Sequence, residues 1–223
     1  MLDINQYDVF VFDLDGTLVD SVPDLTLALN HALNTLNFIP VGESNVRQWV
    51  GNGSLKLIER ALDFIAECTS NNIKKLHSQF LVSYQNTLCE KSVLYPKVKP
   101  TLELLKESEK TLVLLTNKPI QFVPELLEKL GISDFFSLVL GGDSLQSKKP
   151  DPLPLLHVMK ECSTQADKCL MIGDSRADIE CAQQAGVACV ALQQGYNQGL
   201  DLSVLSPSYL FEDMGQLFSQ LRS

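Results

Sequence analysis

Basic residues are in short supply. Eighteen Lys and Arg stand against 27 Asp and Glu, leaving a net charge of −9 at neutral pH. A chain this acidic offers no broad cationic face, so nucleic acid is not an expected partner, although local positive sites remain available. An anionic substrate would have to be met by a local cation or a bound metal. Long hydrophobic runs are missing as well: no stretch reaches the roughly 18 apolar residues of a membrane-spanning helix, and no membrane is expected. The opening MLDINQYDVFVFD lacks a basic segment followed by a long apolar stretch, so it does not read as a secretory signal. None of the six cysteines, Cys68, Cys89, Cys162, Cys169, Cys181 and Cys189, belongs to a CxxC pair. Reduced thiols in a cytoplasmic protein are the expectation, rather than disulfides or zinc. The three histidines, His31, His77 and His157, have no neighbouring ligands that suggest a metal cluster. Trp49, Phe122, Phe135 and Phe136 are expected to pack rather than to react.

What is present suits a substantial folded core: 223 residues, 45% of them hydrophobic, enough for one large domain or a core with a smaller insert. Five short apolar runs read as strands: Tyr7 to Asp13, Thr111 to Thr116, Ser137 to Leu140, Cys169 to Ile172 and Val187 to Leu192. Nearly continuous apolar strands belong in a parallel sheet covered on both faces. Helix-like stretches near 100–109, 120–130, 153–162 and 176–185 alternate with the later strands, and Gly131 and Gly186 stand where helices should stop. Residues 21–90 break that rhythm. Val22, Leu25, Leu29, Leu33 and Leu36 keep helical spacing, Pro23 suits a first turn, and further helical runs cover 44–50, 54–66 and 70–89. The expected architecture is α/β: a doubly wound, mostly parallel sheet formed by residues 1–20 and 91–223, with a helical cap over 21–90 inserted after the first strand.

The chemistry-bearing residues follow strands. Phe12-Asp13-Leu14-Asp15-Gly16-Thr17 places two carboxylates at the end of the first strand, where they can face a crevice. Alone, this segment is also compatible with an acidic turn in which Asp20 or Ser21 caps the following helix. It superficially suggests a calcium loop, but the later ligand positions of that motif are missing. Thr116-Asn117-Lys118 after the second core strand, Lys148-Lys149-Pro150 before a helix, and Gly173-Asp174-Ser175-Arg176-Ala177-Asp178 after another strand supply complementary groups. Together they have the makings of a phosphate and magnesium site.

In that order and spacing, the motifs resemble the haloacid dehalogenase superfamily, and within it the phosphoglycolate phosphatase-like group with an α-helical cap. Trp49-Val50-Gly51-Asn52-Gly53, Gly141-Gly142-Asp143 and Gly195-Tyr196-Asn197 add to the likeness. The resemblance implies a Rossmann-like core and a phosphatase in which Asp13 is the nucleophile and Asp15 the general acid and base. It implies Mg2+ held by Asp13, Asp15 (through its backbone carbonyl) and Asp174, with Ser175 and Asp178 in support. Thr116 and Lys149 would bind and neutralise the phosphoryl group, with Asn117 beside them. Lys149 is preferred over Lys148 because it directly precedes Pro150, as the motif expects. Gly51, Asn52 and Gly53 would form a substrate-facing cap loop, although a plain connection and helix cap explains them as well. The implied partner is a small phosphorylated metabolite, 2-phosphoglycolate first. A sugar phosphate such as N-acetylmuramate 6-phosphate, pyrophosphate, a phosphosugar mutase reaction and a catalytically silent protein-binding domain stand as alternatives. Monomer and homodimer are both open.

Overall fold

The computed structural model describes residues 2–222. Its sheet contains β1 (Val9–Phe12), β4 (Thr111–Leu115), β5 (Leu138–Leu140), β6 (Cys169–Gly173), β7 (Ala188–Leu192) and β8 (Tyr209–Phe211), in the order β5-β4-β1-β6-β7-β8. Every neighbouring pair is parallel, and β1 is central, Val9 standing opposite both Thr111 and Cys169. A pair of short antiparallel strands, β2 (Val19–Asp20) and β3 (Val93–Leu94), stands apart from it.

Side chains alternate across a strand, and here both faces are covered. Phe10, Phe12, Leu112, Leu114, Leu170 and Ile172 enter one core, whereas Val9, Val11, Val113, Leu115, Cys169 and Met171 enter the other. That division explains why the strands read as unbroken apolar runs. Helices α5 (Val98–Glu107), α6 (Val123–Lys129), α7 (Leu153–Glu161), α8 (Arg176–Ala185) and α9 (Met214–Leu221) cover the sheet. The chain leaves β1 for β4 on one side and later returns to β6 on the other. The loops after β1, β4 and β6 therefore meet at a topological switch point, where open parallel sheets bind ligands.

Between β2 and β3 lie four helices, α1 (Val22–Thr35), α2 (Glu43–Trp49), α3 (Ser54–Phe64) and α4 (Ser70–Asn86). Helix α1 packs on α4 and α2, and α3 packs on α4. The face carrying Val22, Leu25, Ala28, Leu29, Ala32 and Leu33 is buried, as its spacing requires. Pairing of β2 with β3 brings the two ends of this insert together. Asp24 fastens them: its buried carboxylate accepts from Lys91 N–H, Ser92 N–H and Ser92 Oγ, each within 2.8 Å. Asp24→Ala would leave these donors unmet, so a loss of about 3 kcal/mol in urea unfolding is expected.

The sequence analysis does not include the short strands β2 and β3, nor β8 and α9. Strand β8 is three half-buried residues on the sheet edge, too short to show a period. Helix α9 did carry a signal: Asp213 accepts from Gln216 N–H at its start, ahead of Met214, Leu217 and Leu221 at helical spacing.

Candidate active site

The mouth of β1 delivers Asp13. Its backbone N–H continues the sheet by donating to Ile172 O at 2.9 Å, and its carboxylate is buried. Lys149 reaches it from the loop before α7, across the cis Lys149–Pro150 peptide. Lys149 Nζ donates to Leu115 O at 2.7 Å and Asp178 Oδ1 at 2.6 Å, and lies 2.9 Å from Asp13 Oδ1. That last contact is an ion pair by distance without hydrogen-bond alignment, so Asp13 Oδ1 is buried with no hydrogen-bond partner.

Asp174, at the end of β6, accepts from Thr17 Oγ1 at 2.5 Å and from Tyr196 N–H at 2.6 Å. A Cβ on either Gly16 or Gly195 would collide with the Asp174 carboxylate, so those two glycines shape its cradle. Asp178, in the first turn of α8, accepts from Asp174 N–H, Ser175 N–H and Ser175 Oγ through Oδ2 and from Lys149 through Oδ1. Ser175 thus supports Asp178, and Asp178 both opens the helix and orients Lys149.

Asp13, Asp174 and Asp178 bring carboxylate oxygens within 4.8 Å of one another. Three carboxylates against the single Lys149 ammonium leave a buried excess of negative charge. Together with Asp13 Oδ1, which faces Lys149 but accepts no hydrogen bond, this is a set of hard oxygen donors suited to a divalent cation. Asp178 accepts three hydrogen bonds through Oδ2 and the Lys149 ammonium through Oδ1, whereas each oxygen of Asp174 accepts one and Asp13 Oδ1 accepts none, so Asp13 and Asp174 keep more lone-pair capacity to ligate it.

The electrostatics agree. Burial raises the Asp13 carboxyl to about 7, against the pull of Lys149 and aided by Asp178. Burial, then Asp13 and Asp178, also push Asp174 well upward. Burial works against the Lys149 ammonium, but Asp13 and Asp178 more than offset it and its pKa rises. Asp13 holds its proton more tightly folded than unfolded, so its contribution to stability is complete below its ordinary value of 3.8 and lost as pH climbs to about 7. Metal-free protein in EDTA is expected to lose on the order of 4 kcal/mol across that window. Added Mg2+ should therefore raise Tm more at pH 7.5 than at pH 5. A shift independent of pH would contradict this reading of the buried carboxylates.

Thr116, at the end of β4, is buried; its Oγ1 accepts from Lys118 N–H at 3.2 Å, which engages the oxygen and not the hydroxyl proton. Asn117 spends its amide NH2 on Gly51 O (3.1 Å) and Lys149 O (3.0 Å), tying the cap loop to the core. Asp15 turns its carboxylate to Lys118 Nζ, at 3.0 and 3.1 Å. Gly51 and Gly53 border the small cavity that opens from Asp13. Asn52 does not: its Oδ1 faces away to accept from Arg60 and Gln198, and its carbonyl accepts from Lys148. The competing picture of a capped acidic turn fails in detail. Ser21 stands at the N-cap of α1 but its hydroxyl makes no capping bond, and Asp20 accepts from Tyr196 Oη at 2.6 Å and from Arg47.

Sequence reasoning brought Asp13, Asp15, Thr116, Asn117, Lys149, Asp174, Ser175 and Asp178 to one place, and the structure puts them there. It assigned no role to Thr17, Lys118 or Tyr196. Lys118 lay in view inside Thr116-Asn117-Lys118. Thr17 is 157 positions from its partner, and nothing local in the chain signals that contact.

Residues 10–192 match the family model for haloacid dehalogenase-like hydrolases. The chain is 42% identical over 223 residues to a phosphoglycolate phosphatase of Colwellia psychrerythraea, covering 98% of this chain and 99% of the relative. A phosphoglycolate phosphatase of Psychrobacter arcticus is 44% identical over 218 residues, covering 96% and 95%. The fold superposes with a TM-score of 0.92 on a crystal structure from Haemophilus somnus described as a predicted phosphoglycolate phosphatase. Identity there is 39%, with 96% of this chain and 98% of that one covered. No helix among the described residues is long and apolar enough to cross a membrane.

Proposed function

We propose, from the premise that the chain belongs to the haloacid dehalogenase-like hydrolase family, that it hydrolyses small phosphomonoesters through a phosphorylated Asp13, with 2-phosphoglycolate its foremost substrate. The observation that carries the chemistry is Asp13 itself: a buried carboxylate at a strand end, paired with Lys149 and bordering a cavity. Likeness to phosphoglycolate phosphatases over nearly the whole chain supports the substrate.

An Asp13 oxygen attacks phosphorus and the ester P–O bond breaks, leaving an acyl phosphate on Asp13. The departing alkoxide takes a proton from the Asp15 carboxyl. Asp15 then accepts a proton from water as that water attacks the phosphoryl group, the bond to Asp13 breaks, and phosphate leaves. Thr116 donates its hydroxyl proton to a phosphoryl oxygen, and Lys149 offsets the charge that gathers between phosphate and Asp13. The carboxylates of Asp13 and Asp174 and the Asp15 backbone carbonyl would hold Mg2+, which would supply positive charge to offset that of the phosphoryl group. Asp178 and Ser175 keep Lys149 and the Asp174 loop in register. In this reading residues 21–90 act as a cap over a core of 1–20 and 91–223, closing the cavity against water. Asn117 clasps the closed cap through Gly51 O, while Gly53 borders the substrate. A cytoplasmic location agrees with this metabolic role.

The cavity walls also bear on the leaving group. Leu25, Val50, Leu57, Phe80 and Phe122 present apolar surface where a sugar would need hydrogen-bond partners for its hydroxyls. A Mg2+-dependent turnover screen over 2-phosphoglycolate, N-acetylmuramate 6-phosphate, other sugar phosphates and pyrophosphate tests the assignment. The highest kcat/KM is expected for 2-phosphoglycolate; a clear preference for a sugar phosphate overturns the substrate and leaves the Asp13 chemistry in place.

A further inference from the structure

The cavity between cap and core is bordered by Lys118 as well as Asp15, and Lys118 is the cation of its lining. The Lys118 side chain is only 3% exposed, its Nζ paired to both oxygens of Asp15 and set 4.7 Å over the Tyr84 ring. Tyr84 Oη is buried on the same wall and makes no hydrogen bond of acceptable geometry. A cation and a phenol donor thus stand together in a chamber that Leu25, Val50, Leu57, Phe80 and Phe122 also line.

We propose that Lys118, with Tyr84 Oη beside it, is the receptor for a carboxylate on the leaving group of the substrate. The proposal rests on the phosphatase reading above and makes its substrate preference a property of one residue. The physical reason is an exchange of partners. For Asp15 to reach the leaving oxygen, its carboxylate must turn away from Lys118. A buried ammonium without a counter-charge is costly. A substrate carboxylate takes the place that Asp15 vacates, and Tyr84 Oη donates to its second oxygen. A substrate with a neutral or purely aliphatic tail leaves Lys118 unpaired at that moment. Discrimination therefore comes from the penalty on the wrong substrate as much as from attraction to the right one.

Binding of two inert phosphonates to the Mg2+-loaded enzyme tests this, measured by calorimetry. 3-Phosphonopropionate carries the carboxylate; propylphosphonate carries a methyl group in its place. Wild type should bind the first about 30-fold more tightly or better, and Lys118→Met should bring the ratio close to one. Lys118→Arg keeps the charge and should retain part of the preference; it also supplies a folded comparison if Lys118→Met is unstable beside Asp15. A wild type without preference, or an undiminished preference in a folded Lys118→Met or another charge-removing variant such as Lys118→Gln, overturns the assignment. Turnover separates the two levels of inference. If wild type hydrolyses 2-phosphoglycolate best but the binding ratio survives loss of the Lys118 charge, the Lys118 proposal fails alone. If a carboxylate preference vanishes with Lys118 but 2-phosphoglycolate is a poor substrate, the subsite stands and the substrate assignment falls.

Discussion

Asp13→Asn is expected to reduce Mg2+-dependent turnover by about 10⁴-fold or more and to abolish any trapped phosphoenzyme, because an amide cannot form the acyl phosphate. The same change should stabilise the protein when metal is absent. Burial lifts the folded-state pKa of Asp13 to about 7, so at pH 8 the fold holds an ionised carboxylate at a cost. Removing that charge should raise stability in EDTA by about 4 kcal/mol. Mg2+ should then protect the variant less than the wild type, since one ligand has lost its charge. Urea unfolding with and without Mg2+, alongside acid-quench labelling from a phosphorylated substrate, reads all three effects. Substantial turnover by Asp13→Asn would sink the mechanism whatever the stability result.

Lys149→Met should act in the opposite sense on stability. Lys149 is buried between Asp13 and Asp178 and also satisfies Leu115 O. Its loss leaves two carboxylates facing each other with no cation, a change that costs about 3–5 kcal/mol when one partner of a buried ion pair is removed. Turnover should fall about 10³-fold, since a preorganised charge at the phosphoryl group is gone. Acid should restore part of the stability by protonating the orphaned carboxylates, and Mg2+ should restore part of it at neutral pH. A Lys149→Met protein as stable as wild type at pH 8 in EDTA would show that the carboxylates are solvated rather than confined.

These two expectations are linked through one buried charge cluster, which is why their stability effects differ in sign. Asp13 is the charge that the fold tolerates for function, and Lys149 is the charge that makes it tolerable. Asp178 completes the arrangement from the first turn of α8, held by Ser175 and the backbone. It connects helix initiation to the placement of a charged group, so its structural and functional roles are the same contact.

Legibility in the sequence followed strand geometry. A residue just past an apolar run must emerge at the rim of the sheet, because the run itself is buried and its register is fixed by alternation across two faces. Asp13, Thr116 and Asp174 could be placed by that rule alone, and the five core strands and eight of the helices by their periods. Lys149 needed the family resemblance, since Lys148 is chemically identical and one position away. Here the fold separates them: Lys149 enters the carboxylate cluster, while Lys148 reaches out to Asn52 O. Asn52 went the other way, grouped with the cap glycines by sequence but turned toward Arg60 and Gln198.

The chain by itself determined a doubly covered parallel sheet, an inserted helical unit and a set of strand-end acids, because hydrophobic period and turn chemistry are local properties. Only the tertiary structure decided that Thr17 and Tyr196 orient Asp174, that Asp15 rests on Lys118, and that Asp178 braces Lys149. Those pairings depend on where separate loops meet across the switch point. Contact between residues far apart in sequence is set by packing of whole elements, which leaves no mark in the residues around either partner.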